Sequence, residues 1–507
     1  MRRAVAAGAA ALALALGATA CGGDDEGAEG PAAASVAPAY AVFGNVVVRP
    51  EGDQAEAASS ALSKLLDNDD PGGVIVEQID NGLRAEDAGI TYAEDIEPWL
   101  GENLGMFLIN FLGAPDGAFV AEVTDQAAAE AMIDNVRAAD ASRARSESYE
   151  GVEYEVDDDD TATGFVDDLL VVGTEEGFRA AVDASIGESL ADSDAFSSEL
   201  ETVPENTLAM LFADVPAFVD RQVEIGELSP GQVDRQLGAF GESPALAALS
   251  ASEDAVTAQT TTGAGEGSDP EQSPLLEQLP GEAWLAFGAT DLGDAVDGFL
   301  ERLEVPGFPG STQLDIAIRS ALGSRLVDLT GWIGDAAGYV SGTSILGIGA
   351  ALELETTDES ASEASIDDLL RLVRGSRDFQ IAPLSSGETG FGVTPRGLPA
   401  QIVVTQREGR VIVGLGDRSV DDVLQPDETL ADSDAFGSAT DALGSDYSAG
   451  LFLQFEPMLE LLEGTGATEG DPEYEAARPY LDHLDYLVAG RAREDDRYLT
   501  RVVLGLR

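Results

Sequence analysis

The sequence predicts an α+β fold, built as two tandem copies of a domain whose mainly antiparallel sheet carries helices on one face. Three observations predict it. Short apolar runs bounded by Gly, Pro and Asp alternate with amphipathic helical patterns. Neighbouring runs, such as 106–111 and 118–123, are joined by turns too short for a parallel crossover. And the heptapeptide Leu-Ala-Asp-Ser-Asp-Ala-Phe occurs twice, at 190–196 and at 430–436. A doubly wound parallel sheet needs stricter strand–helix alternation and is the second choice.

From the N-terminus, residues 1–20 read as a lipoprotein signal peptide. Arg2 and Arg3 are its positive region, and residues 4–16 form an apolar stretch too short to span a bilayer, which takes about 20 residues. Ala18-Thr19-Ala20 supplies small residues before Cys21, the only cysteine in the chain. Cys21 is therefore the expected lipidation site, and an intrachain disulfide is impossible. Residues 21–35 read as an acidic, flexible spacer.

Copy one is expected over 36–262, with strands at 40–48, 106–111, 118–123, 165–172 and 208–213. Residues 125–138 should form a helix capped by Thr124 or Asp125, since Ala128, Met132 and Val136 share one face. Further helices are expected at 175–185 and 215–240. The polar, Gly-containing stretch 263–273 reads as a linker and 274–507 as copy two. In copy two a helix at 365–374 should end on a left-handed Gly375.

Other features repeat near the heptapeptide's spacing. Phe212 and Pro216 match Phe452 and Pro457, and the hairpin-like 251–254 matches 492–495. Trp99-Leu-Gly101-x-x-x-Gly105 matches Trp332-Ile-Gly334-x-x-x-Gly338. A period this long indicates duplicated globular domains; solenoid repeats run about 20–50 residues.

The chain has 95 acidic residues against 27 Lys plus Arg, a formal net charge of −68. Such a surface repels nucleic acid and anionic headgroups, so neither is expected as a direct partner. The membrane partner is then reached through a lipid on Cys21, which puts the protein on the outer face of the cell membrane.

Ile96-Glu97-Pro98-Trp99-Leu100-Gly101 resembles the Pro-Trp-Leu-Gly signature of a domain of unknown function found in secreted proteins and lipoproteins of high-GC Gram-positive bacteria. Val203-Pro204-Glu205-Asn206-Thr207-Leu208 is similar to that family's entry into a strand, and Leu279-Pro280-Gly281-Glu282-Ala283-Trp284 opens copy two in the same way. Copy two departs from the signature, with Gly331 where copy one has Pro98. The resemblance implies architecture and location, and no activity.

Residue types for most catalysis are missing. Lys64, the only lysine, lies in a helical context and follows no phosphate loop. His483, the only histidine, is flanked by Asp482 and Asp485, but copy one has Glu242 near the matching position and no Gly-x-Ser-x-Gly elbow is present. Zinc would need Cys or His clusters. Residues 157–160 are four aspartates without calcium-loop spacing, and read as a solvated turn. Asp192-Ser193-Asp194 and Asp432-Ser433-Asp434 read as helix starts, with cation binding as the alternative. Trp99 and Trp332 read as packed corners, with ligand stacking as the alternative.

The expected function is a non-enzymatic, lipid-anchored binding protein of the envelope, with no catalytic residue, metal or cofactor. Its partner would be an envelope protein or a small ligand. The alternatives are a solute or lipid carrier with an apolar cleft, and a carboxylate-based hydrolase of envelope polymers.

Overall fold

The computed structural model describes residues 30–85, 88–110, 115–140, 144–226, 228, 243–263, 272–293, 329–384, 389–396, 400–466, 468, 470–495 and 497–507. The leader, Cys21 and most of the spacer and linker lie outside them. The chain divides into two compact units. Unit 1 is Met1–Gly267 with Arg493–Arg501 and Leu506–Arg507; unit 2 is Ser268–Ala492 with Val502–Gly505.

Unit 1 contains β1 (Val42–Val47), β2 (Leu100–Asn110), β3 (Asp116–Val123), β4 (Arg145–Tyr149), β5 (Val152–Val156), β6 (Thr161–Val166), β7 (Leu169–Thr174), β8 (Thr207–Asp214), β9 (Pro244–Ala251) and β10 (Ala255–Gly263). They pair in the order β4-β5-β6-β7-β3-β2-β1-β8-β9-β10, every step antiparallel. Its helices are α1 (Gly52–Leu66), α2 (Pro71–Ala85), α3 (Gln126–Asp140), α4 (Glu175–Ile186), α5 (Asp194–Leu200) and α6 (Val215–Glu224).

The expectation of helices on one face is corrected here. Val120 of β3 and Val171 of β7 pack into a cluster with Phe178 and Ala181 of α4 and Phe196 of α5. Their neighbours Ala121, Leu170 and Val172 pack into a second cluster with Ile79 and Leu83 of α2 and Ala129 and Ile133 of α3. Successive strand residues point to opposite faces, so the sheet is covered on both. That is why β7 reads as an unbroken apolar run rather than an alternating one.

Unit 2 contains α7 (Pro274–Gln278), β11 (Ala283–Ala289), β12 (Ile333–Ser341), β13 (Gly349–Thr356), α8 (Glu359–Gly375), β14 (Phe379–Pro383), β15 (Thr389–Pro395), β16 (Ile402–Arg407), β17 (Arg410–Leu415), α9 (Gly416–Leu424), α10 (Asp434–Leu443), β18 (Ser448–Gln454), α11 (Phe455–Gly464), α12 (Pro472–Leu481) and β19 (Leu484–Glu494). β20 (Arg497–Leu506) follows, and its residues are shared between the units. The pairing order is β14-β15-β16-β17-β13-β12-β11-β18-β19-β20. Element by element this repeats the order found in unit 1.

Three local readings change. The expected strand 165–172 is a hairpin: β6 and β7 turn at Asp167, whose φ of 51° is left-handed, a conformation short polar side chains tolerate. Gly375 does not end its helix in a left-handed turn; it is the last residue of α8, and Ser376 at φ −92° and ψ 143° breaks away. The helix expected over 215–240 is described as α6, followed by a turn at Gly226 with φ 83°; residues 227 and 229–242 lie outside the described residues.

Candidate functional site

Two tryptophan corners recur in the two units, and the Trp99 corner borders an acidic cleft. Trp99 and Trp332 are both buried. The carbonyl of Trp99 accepts the N–H of Thr124 at 2.8 Å and its hydroxyl at 3.0 Å. The carbonyl of Trp332 accepts the N–H and hydroxyl of Thr357 at 2.8 and 2.9 Å. The next residue caps a helix in each case. Asp125 accepts from Ala128 N–H at 3.1 Å, and Asp358 from Ser360 and Ala361 N–H at 2.9 and 3.1 Å. The indole N–H groups find different partners: the Asp95 carbonyl at 2.7 Å for Trp99, the Ser365 hydroxyl at 2.9 Å for Trp332. Both rings are core with satisfied donors, which is the packed-corner arrangement.

The glycines of the two corners are not all equivalent. A Cβ on Gly101 would sit 2.6 Å from Glu122 Cβ, and one on Gly334 would sit 3.3 Å from Glu355 Oε2. Gly105 faces Val120 across the β2–β3 ladder, whereas Glu353 at the matching β13 position faces Ala337. The second glycine of the shared spacing is thus displaced, because β2 and β12 carry different register shifts.

Beside Trp99 in unit 1 lies a cleft of about 650 Å³. Its walls bring together Glu51, Glu97, Glu102, Glu122 and Asp168 with one cation, Arg49. Arg49 Nη1 donates to the carbonyls of Leu100 at 2.8 Å and Glu97 at 3.3 Å, so it ties down the strand entry. The Glu122 carboxylate accepts from the N–H groups of Glu102 and Asn103 and from Asn103 Nδ2, at 3.1–3.2 Å. Asn103 in turn accepts from buried Asn45 at 3.0 Å. Glu122 is therefore committed to holding the β2 bulge. Glu102 is not: crowding by the cleft wall, then Glu51 and Glu122, push its carboxyl above the usual range although its side chain is exposed. Sequence reading missed this cleft because its carboxylates come from four separate stretches of chain.

The repeated Asp-Ser-Asp segments are structural. Asp192 accepts from the hydroxyl and N–H of Ser189 at 2.7 and 3.0 Å; Asp432 does the same with Thr429 at 2.8 and 3.2 Å. These are capping boxes on short 3₁₀ turns. The hydrogen bonds hold both carboxyls below the usual range. Leu190 N–H donates to Ala37 O, and Leu430 N–H to Leu279 O, each at 2.7 Å. The phenylalanine of each heptapeptide packs edge-on against the neighbouring strand: Phe196 on Phe212 at 5.0 Å, Phe436 on Phe452 at 5.4 Å.

The remaining candidates fall outside any site. Asp157 Oδ1 accepts from Asp159 and Thr161 N–H at 2.9 and 2.8 Å, closing the β5–β6 turn. Lys64, on α1, pairs with Asp254. His483 stands in the turn after α12, its N–H on the Tyr480 carbonyl at 3.3 Å, while Asp482 pairs with Arg478. Among the described residues, no group of three or more His, Cys, Asp or Glu side chains could hold a metal ion.

Comparison with known proteins decides the family. A family model described as "Protein of unknown function (DUF3352)" matches residues 75–497. The chain belongs to the DUF3352 family. The match takes in both tryptophan corners and both capping boxes of this DUF3352 chain. Among curated proteins, no sequence matches. Two solved structures of TP0453, in crystal forms III and I, are similar at 10% identity over 48% of this chain, covering 95% and 82% of their own chains, with TM-scores of 0.22 and 0.24.

Proposed function

We infer that this DUF3352 chain is a lipid-anchored protein of the outer face of the cell membrane, and that its body is a non-enzymatic binding module made of two copies of one domain. A single observation carries the anchor: a basic and apolar leader ends in Ala18-Thr19-Ala20 immediately before the only cysteine, Cys21. No helix among the described residues is long and apolar enough to cross a membrane. The duplication is supported by the identical pairing order of ten strands in each half, and by the matched Trp–Thr corners and capping boxes. The body's acidity makes an anionic or nucleic-acid partner unfavourable and a cationic or neutral one favourable.

Replacing Cys21 tests the reading. Cys21→Ala, with the leader still cleaved, should move the protein from the membrane fraction into the medium. A cleaved Cys21→Ala protein that stays with the membrane would defeat it.

One observation favours a second reading, a carboxylate hydrolase. Glu102 has a raised pKa in an open acidic cleft, as a general acid requires. In that case Glu102→Gln would abolish turnover of an envelope polymer while leaving the fold intact. A protein that releases no fragments from such polymers, wild type or variant, removes this reading.

A further inference from the structure

The β12–β13 connection presents two adjacent, exposed aliphatic side chains. Leu346 is 96% exposed and Ile345 57% exposed, side by side in the chain, whereas other exposed aliphatic side chains among the described residues, such as Ile186 at 67% and Leu211 at 51%, stand singly. The loop is braced rather than slack. Gly347 N–H donates to the Ser344 carbonyl at 3.0 Å and to its hydroxyl at 3.2 Å. Gly342 has φ 78°, and a Cβ there would sit 2.2 Å from the Gly347 carbonyl oxygen, so the tip closes tightly on glycine. The buried Trp284 donates its indole N–H to the Gly342 carbonyl at 2.9 Å, which pins the base of the loop to β11. Ile345 and Leu346 are thus presented at a fixed apex.

The tip is also free of charge. Between Asp335 and Glu353 no Asp, Glu, Lys, Arg or His occurs, in a chain of net charge −68. The corresponding connection of unit 1 repeats the composition: no charge lies between Glu102 and Asp116, and the stretch reads Asn110-Phe111-Leu112-Gly113-Ala114-Pro115, beside Ser344-Ile345-Leu346-Gly347 in unit 2. Residues 111–114 lie outside the described residues.

We propose that the tip at residues 342–348 is a membrane wedge, which seats Ile345 and Leu346 among the outer acyl carbons of an electrically neutral lipid surface. Shape and size choose this occupant over a protein. Stable protein interfaces bury roughly 800 Å² on each partner. Two aliphatic side chains on a convex tip fall far short of that, but a deformable acyl layer accepts a convex apolar tip directly. The preorganised loop loses little freedom on insertion. A tethered protein meets the surface at high effective concentration, so a weak wedge suffices to orient it. The wedge uses the Cys21 anchor only as the means of reaching the membrane.

The test supplies a different tether, so that failure of the anchor reading and failure of the wedge are separable. The mature full chain carrying Cys21→Ala, Leu346→Cys and a C-terminal histidine tag is labelled with the environment-sensitive dye NBD and held on phosphatidylcholine vesicles by a nickel lipid. Glu359→Cys, on the exposed start of α8, is the control in the same background. At position 346 emission should rise several-fold on vesicle binding and be quenched by spin labels in the upper acyl chain; at 359 it should not change. Adding phosphatidylserine should reduce the response at low salt, and added salt should restore it. A 346 signal that matches 359 overturns the proposal. So does one that rises with protein concentration in the absence of lipid, which would make the tip a self-association surface. Ile345→Asp in the labelled protein keeps the outcome interpretable: it should cut the response while far-UV circular dichroism stays unchanged.

Discussion

Glu353 and Arg410 form an ion pair at 2.8 Å in unit 2, with the Glu353 side chain fully buried. They stand where unit 1 has Val120 and Leu169. In unit 2 Glu353 faces Ile412 and Glu355 faces Arg410; in unit 1 Val120 faces Val171 and Glu122 faces Leu169. Matched ladders therefore hold an ion pair in one unit and two aliphatic side chains in the other. Glu353 Oε1 has no hydrogen-bond partner among the described residues. Burial raises its pKa, and Arg410 offsets part of that rise.

The pair should consequently be replaceable but not divisible. Arg410→Leu alone should cost about 3 kcal/mol, because it leaves a buried carboxylate without its cation. Glu353→Val with Arg410→Leu should recover that loss or exceed wild type. Denaturant titration of the two single variants and the double variant reads the coupling directly. The pH dependence follows in sign. A raised folded-state pKa means the folded protein holds the proton more tightly than the unfolded chain. That contribution is present in full below the unfolded pKa and is lost as pH rises through the folded one. Arg410→Leu should steepen this loss, so the variant should lie nearest to wild type in mild acid.

Asp192 and Asp432 should behave oppositely and alike. Their carboxyls are held below the usual range by Ser189 and Thr429. Their contribution is present above the unfolded pKa and is lost as pH falls through the lowered folded values. Carboxyl titration by NMR should place both below ordinary exposed aspartates. Ser189→Ala should return Asp192 alone toward the usual range, and Thr429→Val should return Asp432 alone. A common shift of both in either variant would show that the two boxes are not independent.

Two glycines should respond with opposite sign. A Cβ on Gly105 would lie 2.3 Å from Ala33 Cβ, so Gly105→Ala should destabilise by roughly 1–3 kcal/mol. Gly437 sits inside α10 with nothing within 4 Å of a Cβ, and the matching heptapeptide position in unit 1 is followed by Ser197. Gly437→Ala should stabilise by about 0.5–1 kcal/mol. Thermal unfolding of both variants checks the pair.

The parts legible in the sequence were those written in turn and cap chemistry. The heptapeptides 190–196 and 430–436 were legible as helix starts, although their boxes close on Ser189 and Thr429 just ahead of them, and Asp125 announced the start of α3. What was missed has physical causes. The β6–β7 hairpin is hidden inside one apolar run, because both strands are buried on two faces and the turn is made by aspartate rather than glycine. Of α1 only the helical context of Lys64 was read, since α1 buries only alanines, and α2 was not read, since it opens on Pro71-Gly72-Gly73. The acidic cleft was illegible because Glu51, Glu102, Glu122 and Asp168 are separated in sequence and meet only through the sheet.

The C-terminal segment Arg493–Arg501, grouped with unit 1, supplies a further prediction. Arg497 Nη1 donates to the Ser198 carbonyl at 2.9 Å and Nη2 to its hydroxyl at 2.5 Å, beside the buried Glu199 carboxylate at 3.6 Å. Arg501 donates to the buried Gln259 side chain at 2.8 and 3.1 Å. Arg497→Ala should lower hydrogen-exchange protection in α5, and Arg501→Ala in β10, with little change in α8. Loss of protection confined to β20 would contradict this role.

The most direct measurement of the account is the intact mass of the protein extracted from membranes of cells that express it. Lipid anchoring at Cys21 predicts a chain that begins at Cys21 and is heavier than the bare sequence by a diacylglyceryl group, with or without an added acyl chain. A chain that begins at Cys21 with no added mass, or that keeps Met1 and the whole leader, would contradict it.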